Sequence, residues 1–563
     1  FPGVVRQESP TSDMPSFEVS DQGIKEVLRF LKSNSDPKFM RLDDLTAIDE
    51  SARRRPKGKT GPRPDFTMVY HLLSFDTAER IRLKVGLEGR APEIQTVTDI
   101  WPSAAWYERE VYDMFGITFE GHPDLRRLLM PHDWEGFPLR KGYPGRATEM
   151  APYTLKNAES HEPLNAETAL AGKVEGGRYF ILNFGPHQYC THGVIRHILA
   201  LRGEKIAGMD IDIGYHHRGA EKIGEHQSWH QFIPYTDRVD YLSGAANNLS
   251  YVHSVETLTG VSAPVRAQYI RVLLAELFRL SNHLVWLGTA AHDVGMMSPT
   301  FYTMREREGI LDIAEMITGG RLHTAWFRIG GVAQDLPEGW KPPVDAFLKK
   351  FPGRLREYER MILNNPIFKG RTQGIGRLTK KEAMEWGVTG PNLRACGVDW
   401  DLRKQMPYSI YEDLDFDIPV QTGGDCYARF LVRIEEMRQS LRIIRQAADN
   451  MPGGRHISEN SRYTIPEKPD TLEDIETLIH HFINATRGPK IPKGEAYTAT
   501  EVPRGEQGYY IVSDGLNMAY RMRIRSPGFA NVQAIPLMAR GETVADFAAI
   551  LGSVDYILAD VDR

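Results

Sequence analysis

Cysteine is almost missing from this chain. Only Cys190, Cys396 and Cys426 occur in 563 residues, far apart in sequence. That usage fits a reducing compartment and excludes a disulfide framework. It also excludes an iron–sulfur cluster held by this chain alone, because such clusters normally take four thiolates. No apolar run reaches the roughly 18 residues of a membrane-spanning helix, so membrane contact would go through partners or a peripheral surface. There is no signal-peptide pattern at the start, and because the first residue is Phe1 rather than Met, a preceding N-terminal segment is expected. Charge of one sign is scarce too: 69 basic and 74 acidic residues leave a formal −5. No basic stripe points to nucleic acid, and no charge block points to a disordered tail. A phosphate-binding loop is absent, and Gly374-Ile375-Gly376 lacks the preceding strand and third glycine of a dinucleotide fingerprint. These absences point away from nucleotide and from a resident redox metal.

A hydrophobic share of 41% with 25% charged residues describes a globular protein with a substantial core, and the length allows several domains. Residues 1–60 are polar, and the basic patch of Arg53, Arg54, Arg55, Lys57 and Lys59 reads as a solvated loop. Gly23–Asn34 fits a short amphipathic helix. Phe66, Met68, Tyr70 and Leu72 alternate with other residues, as do Ile81, Leu83, Val85 and Leu87, which predicts a β-hairpin with one buried face. Val97–Tyr112 has helical character. Residues 1–145 therefore read as a small α+β domain. Within it, Gly121–Pro144 is too rich in Pro, Gly and paired charges for regular structure and reads as an extended arm. The weakly patterned residues 146–175 read as a linker.

The next stretch opens with Phe180, Leu182 and Phe184 in alternation and breaks at Gly185-Pro186. A second strand is predicted over Val194–Leu201, a turn at Arg202-Gly203-Glu204-Lys205, and a third strand over Ile206–Ile213. The loop from Gly185 to Gly193 is longer than a hairpin needs and densely polar, which points to another use. Glu221–Phe232 fits one helix, with His226 and His230 on one face. That spacing suits zinc, but no third ligand is evident. Pro264 opens a long helix with a stripe of Ile270, Leu273, Leu277, Leu280, Leu284 and Leu287. A second long helix follows Cys426, and helices of this length imply a helical bundle. YYIVSDG suggests a strand in the last part.

Five motifs carry a family resemblance. GPHQYCTHGVIRHILALRGE, DIGYHHRGAEK and PYTDRVDY are similar to the D (49-kDa-type) subunit of complex I, the proton-pumping NADH:quinone oxidoreductase. Upstream, WYEREVYDMFGITFEGHPDLRRLL and GFPLRKGYP resemble its C (30-kDa-type) subunit. The chain thus resembles the fused C/D subunit of bacterial enzymes over nearly everything from Asp65 to Arg563. The implied fold class is α+β. A C-like α+β domain (1–145) and a linker (146–175) would precede a D-like domain (176–563). That last domain would be mainly helical, like the large subunit of NiFe hydrogenases, with an antiparallel β-sheet at its start. Residues 121–144 would pack on neighbouring subunits.

The resemblance implies an oxidoreductase and translocase subunit that is active only in the complex. Quinone would be the substrate, with NADH, FMN and the iron–sulfur clusters bound by partner subunits. Those partners would be the B-type terminal-cluster, I-type ferredoxin-like, G-type and H-type membrane subunits. The place would be the peripheral arm on the cytoplasmic side of the bacterial inner membrane. Quinone reduction needs hydrogen-bond donors at two carbonyl oxygens and a carboxylate to orient a histidine. Carried over by motif, His192 and Tyr241 match the headgroup residues and Asp293 of HDVG matches the partner of that histidine. Arg218, Arg238 and His323 (of GRLHTAW) match residues facing the terminal cluster held by the B-type subunit. The loop departs from the family pattern: His187 and Gln188 are swapped and Tyr189 replaces proline, which leaves the role of the first histidine open. Two rivals remain. A NiFe hydrogenase large subunit would need cysteine pairs near both ends of the domain, where this chain has RVDYLSG and GSVDYILADVDR. A catalytically silent scaffold linking the arms is the other.

Overall fold

The computed structural model describes residues 4–8, 11, 13–53, 64–145, 147–149, 164–174, 178–186 and 193–563. Five strands form the first sheet in the order β1-β2-β5-β4-β3. They are β1 (Val5–Gln7), β2 (Ser16–Val19), β3 (Arg41–Asp49), β4 (Phe66–Leu73) and β5 (Arg80–Leu87). β4 and β5 pair antiparallel from Phe66↔Leu87 to Leu73↔Arg80, the hairpin that the alternation predicts. Helix α1 (Ile24–Ser33) turns Ile24, Val27 and Leu28 inward, as its amphipathic pattern requires. Helix α2 (Ala104–Phe115) begins later than Val97. Pro102 disfavours helix at the residue before it. The Glu108 carboxylate instead accepts from Val97 N–H at 2.7 Å and from Thr96 Oγ1 at 2.5 Å, holding a non-helical turn.

A second sheet has the order β8-β7-β6, from β6 (Phe180–Phe184), β7 (Arg196–Arg202) and β8 (Lys205–Asp212). Its tight turn carries Gly203 at φ 62°, with Lys205 paired to Arg202. The five-residue helix α3 (Ala166–Leu170), inside the expected linker, packs Ala169 and Leu170 on Ile198 and Ala200 of this sheet. The described part of that linker is therefore docked rather than free. A third sheet joins β9 (Gly494–Val502), β10 (Gly505–Ser513) and β11 (Arg521–Arg525), β10 containing the strand expected from YYIVSDG.

The helical part is built on α4 (Gly244–Thr259), α5 (Val265–Asp293), α6 (Ser298–Thr318) and α7 (Cys426–Asp449), closed by α8 (Val544–Val554) and the short α9 (Leu558–Asp562). The predicted stripe on α5, from Ile270 to Leu287, is wholly buried, and Phe430, Ile434 and Met437 of α7 join the same core. Removing one such side chain by Leu→Ala typically costs about 2–5 kcal/mol.

Three expectations are corrected. Strands β3 to β5 of the first sheet are buried on both faces nearly throughout, and β3 wholly so although it lies in the stretch that reads as polar. The cause is the third sheet, which docks by arginine–carboxylate pairs. Arg80 meets Asp43 at 2.8 Å and Glu506 at 2.5 Å, Arg82 meets Glu495 at 3.1 Å, and Arg523 meets Asp44 at 2.8 Å. Arg53, expected in a solvated loop, is pinned to Glu50 and Asp514. Glu221–Phe232 is not one helix: Ala220–Gly224 is helical, the chain then turns, and Ile233–Thr236 forms a separate turn of helix. The backbone of Trp229 bonds to Asn517 instead of continuing the helix. Residues 121–144 carry no regular element, as expected, and run over their own chain, with Lys141 reaching Glu225 at 2.7 Å.

Candidate functional site

Five of the six expected site residues are among those described. His192 lies outside the described residues, as does Cys190. The chain re-enters at Gly193, whose φ of +125° is open to glycine alone. A Cβ there would stand 2.7 Å from Leu558 Cβ and 3.0 Å from His216 Nε2. Val194 N–H donates to His216 Nε2 at 2.9 Å, so that nitrogen is the acceptor of the ring. Burial, then the Arg218 charge, holds the His216 imidazole below its ordinary range.

Asp562, on α9, fixes this corner. Its carboxylate accepts from Gly214 N–H at 3.0 Å and His216 N–H at 2.7 Å, and its carbonyl accepts from His217 Nδ1 at 2.7 Å. Burial pushes the Asp562 carboxyl up to about 6, against those hydrogen bonds.

Tyr241 is half-buried and packs with Leu242, Val285 and Ile557, the residue that precedes α9. Burial raises its phenol; the Arg504 cation opposes the rise and the Asp240 charge adds to it. Beneath it, Asp240 accepts from Ser243 Oγ at 2.7 Å and pairs with Arg504 at 2.6 Å, and Arg504 reaches Asp555 at 3.1 Å. Asp293 is the last residue of α5 and is also half-buried. Its carboxylate passes so close to α8 that a Cβ at Gly552 would come within 2.9 Å of Oδ2. Trp286 Nε1–H donates to Gly552 C=O at 2.8 Å and locks the same crossing.

Arg218, Arg238 and His323 are brought together. Buried Asp237 accepts from Asn248 Nδ2–H at 2.5 Å and from Ala325 N–H at 2.7 Å, tying the loop of His323 to the turn of Arg238. Arg218 donates to the Arg238 carbonyl. His323 is exposed, and its imidazole is lowered by partial burial, then by Arg238 and Arg218. Among the described residues neither guanidinium forms an ion pair, so this is a cationic face able to sit against an anionic group.

The histidine pair has no third metal-ligating side chain beside it among the described residues. His230 is half-buried, and desolvation of its ring, then Arg328, pushes it down to about 4. Among the described residues no group of three His, Cys, Asp or Glu side chains could hold a metal ion, and no helix is long and apolar enough to cross a membrane.

Sequence reasoning missed the segment that gathers the site. Residues 552–562 meet Asp293 at Gly552, Tyr241 at Ile557, Gly193 at Leu558 and His216 at Asp562. The available signal was three aspartates, Asp555, Asp560 and Asp562, set among apolar residues with no nearby basic partner before Arg563.

Two family models match the chain. Residues 17–149 match the respiratory-chain NADH dehydrogenase 30 Kd subunit, and residues 293–563 match the 49 Kd subunit. Arg218, Arg238 and Tyr241 fall between these matches but within those of full-length relatives. The C/D subunit of NADH-quinone oxidoreductase from Acidiphilium cryptum is 51% identical over 556 residues, covering 98% of this chain and 94% of the relative. Its counterpart in Nitrosospira multiformis is 50% identical over 567 residues, covering 100% and 93%. The one in Methylococcus capsulatus is 50% identical over 544 residues, covering 96% and 92%. An α+β sheet region continuous with a helical bundle, two consecutive subunit matches and half-identical relatives along the whole length agree: this chain belongs to the family of fused C/D subunits of NADH-quinone oxidoreductase.

Proposed function

We propose that the chain forms one wall of a quinone headgroup site and, next to it, the face set against a partner's terminal iron–sulfur cluster. In this reading residues 1–145 are the C-like domain, 146–175 the linker and 176–563 the D-like domain. His192 and Tyr241 hold the headgroup and Asp293 orients His192. Arg218, Arg238 and His323 stabilise the reduced, more negative cluster. NADH, FMN and the clusters reside in other subunits, of which the B-, I-, G- and H-types are the proposed neighbours. The complex couples quinone reduction to proton translocation from the cytoplasmic side of the inner membrane.

The observation that carries this reading is the convergence on residues 552–562. Tyr241, Asp293 and the exit of the His192 loop, remote in sequence, all meet that one segment. A silent scaffold would need no such gathering beside an unpaired cationic face.

Tyr241→Phe tests it. The change removes a hydroxyl and little packing. One lost hydrogen bond in a partly desolvated site costs about 1–3 kcal/mol, or roughly 5- to 150-fold in rate if it acts in the transition state. In the assembled complex, NADH:quinone activity should fall by that factor while NADH:ferricyanide activity, which bypasses the site, stays. Normal turnover of short-chain quinones by the variant would leave Tyr241 as a core tyrosine.

A further inference from the structure

Asp560 is a carboxyl with no ion pair among the described residues, set in a charged interior. It lies on α9 and is wholly buried. Oδ2 accepts from Gly528 N–H at 2.8 Å, and a Cβ at Gly528 would stand 2.5 Å from that oxygen. Oδ1 is buried with no hydrogen-bond partner among the described residues. Four groups face it: Asp240 before α4, Arg504 in the β9–β10 turn, Tyr509 on β10 and Arg563 after its own helix. Both arginines are engaged elsewhere. Arg504 pairs with Asp240 at 2.6 Å and Asp555 at 3.1 Å, and Arg563 pairs with Glu110 at 2.6 Å. A second negative charge beside Asp240, in a site where one oxygen has no donor, is strongly disfavoured.

We propose that Asp560 rests as a neutral carboxylic acid and is the proton reserve that reloads Tyr241, with the Asp240–Arg504 pair neighbouring both. The proposal rests on the assignment of Tyr241 to the headgroup. Asp240 and Arg504 act electrostatically on both Tyr241 and Asp560, and Ile557, one turn before Asp560, packs with Tyr241. Reduction of the quinone by two electrons, drawn ultimately from NADH, takes up two protons. For one of them, the Tyr241 O–H bond breaks as a headgroup O–H bond forms. The tyrosinate then takes the Asp560 proton, leaving a carboxylate that solvent refills. The direction is downhill: burial lifts the Tyr241 phenol above its usual 10, whereas burial and Asp240 bring Asp560 to about 7. Asp560 is a positioning residue for the proton and does not touch the quinone.

Asp560→Asn in the assembled complex is the test, because asparagine keeps an acceptor for Gly528 but cannot release a proton. In the wild type, quinone turnover should fall as pH rises through neutrality and the reserve empties. In the variant, kcat at pH 6–7 should drop at least tenfold and lose that alkaline limb. KM for quinone should stay within twofold and NADH:ferricyanide activity should be unchanged. Asp560→Glu should recover part of kcat and the limb with it. Wild-type kcat and limb in Asp560→Asn, beside an impaired Tyr241→Phe, would overturn the reserve alone. An impaired Asp560→Asn beside a normal Tyr241→Phe would overturn the headgroup assignment and the route through it. If the asparagine variant does not assemble, infrared difference spectra of the wild-type complex between pH 6 and 8 decide. A protonated-carboxyl band should be lost on raising the pH and should move in Asp560→Glu; a spectrum without that band overturns the proposal.

Discussion

Two regions bury charge and treat it in opposite ways. Between α5 and α7, the buried carboxylates Glu276 and Glu436 are saturated with cations. Glu436 meets Arg279 at 3.1 Å, Arg403 at 3.2 Å and Arg394 at 3.3 Å. Glu276 meets Arg403 at 3.1 Å and accepts from Ser440 Oγ and Tyr411 Oη at 2.7 Å each. Burial alone would raise the Glu436 carboxyl, yet Arg394 and its neighbours hold it well below the ordinary range. Around the site, Asp237, Asp560 and Asp562 receive N–H groups but no ion pair among the described residues. Burial lifts them to about 6, 7 and 6. Paired charges fix protonation and shape the bundle, while acids without an ion pair among the described residues titrate much closer to neutral pH.

The largest effect should come from breaking the saturated lattice. Glu436→Gln leaves three buried guanidiniums short of a partner and should cost about 3–5 kcal/mol, read as a lower denaturant midpoint of the full chain. The lattice also has a pH signature. Because the folded value of Glu436 lies below its unfolded value, its stabilisation is present above the unfolded value and is lost as pH falls through the acid range below it. The wild-type midpoint should therefore drop on acidification, and less so in Glu436→Gln.

A middle-sized effect is expected at the cationic face. If His323 takes up a proton when the neighbouring cluster is reduced, the cluster's midpoint potential falls as pH rises in the wild type. In His323→Met that slope should flatten while the cluster's spectroscopic signal persists; an unchanged slope removes His323 from this role. The smallest effect belongs to an exposed counterpart of the lattice. Arg321 is fanned by Glu308, Asp312 and Glu315 on the surface. Solvent screens such pairs, so Arg321→Ala should leave the unfolding midpoint unmoved. A large loss there would blur the contrast between buried and exposed charge.

The strands β4 to β8 and the helices α1, α5 and α7 are legible in sequence because one face of each faces a local apolar partner and periodicity records it. β3 was not legible. Arg41, Asp43 and Asp44 read as solvent-facing until the third sheet brings Arg523 and Glu506 onto them from the far end of the chain. The same holds for Glu221–Phe232, where backbone partners near residue 517 override a helical pattern.

Sequence by itself determined the family and the scarcity of metal-ligating cysteine, and its long motifs marked out all six candidate residues, of which His192 lies outside the described residues. It could not determine which acids hold a proton. Asp560 and Glu436 are both acidic residues with an apolar neighbour, Val561 and Met437, when read along the chain. Tertiary contacts alone decide that Glu436 meets three arginines while Asp560 meets a backbone N–H and another carboxylate. The reason is physical: ionisation in the interior depends on which charges lie within a few ångströms, and those charges come from distant parts of the sequence.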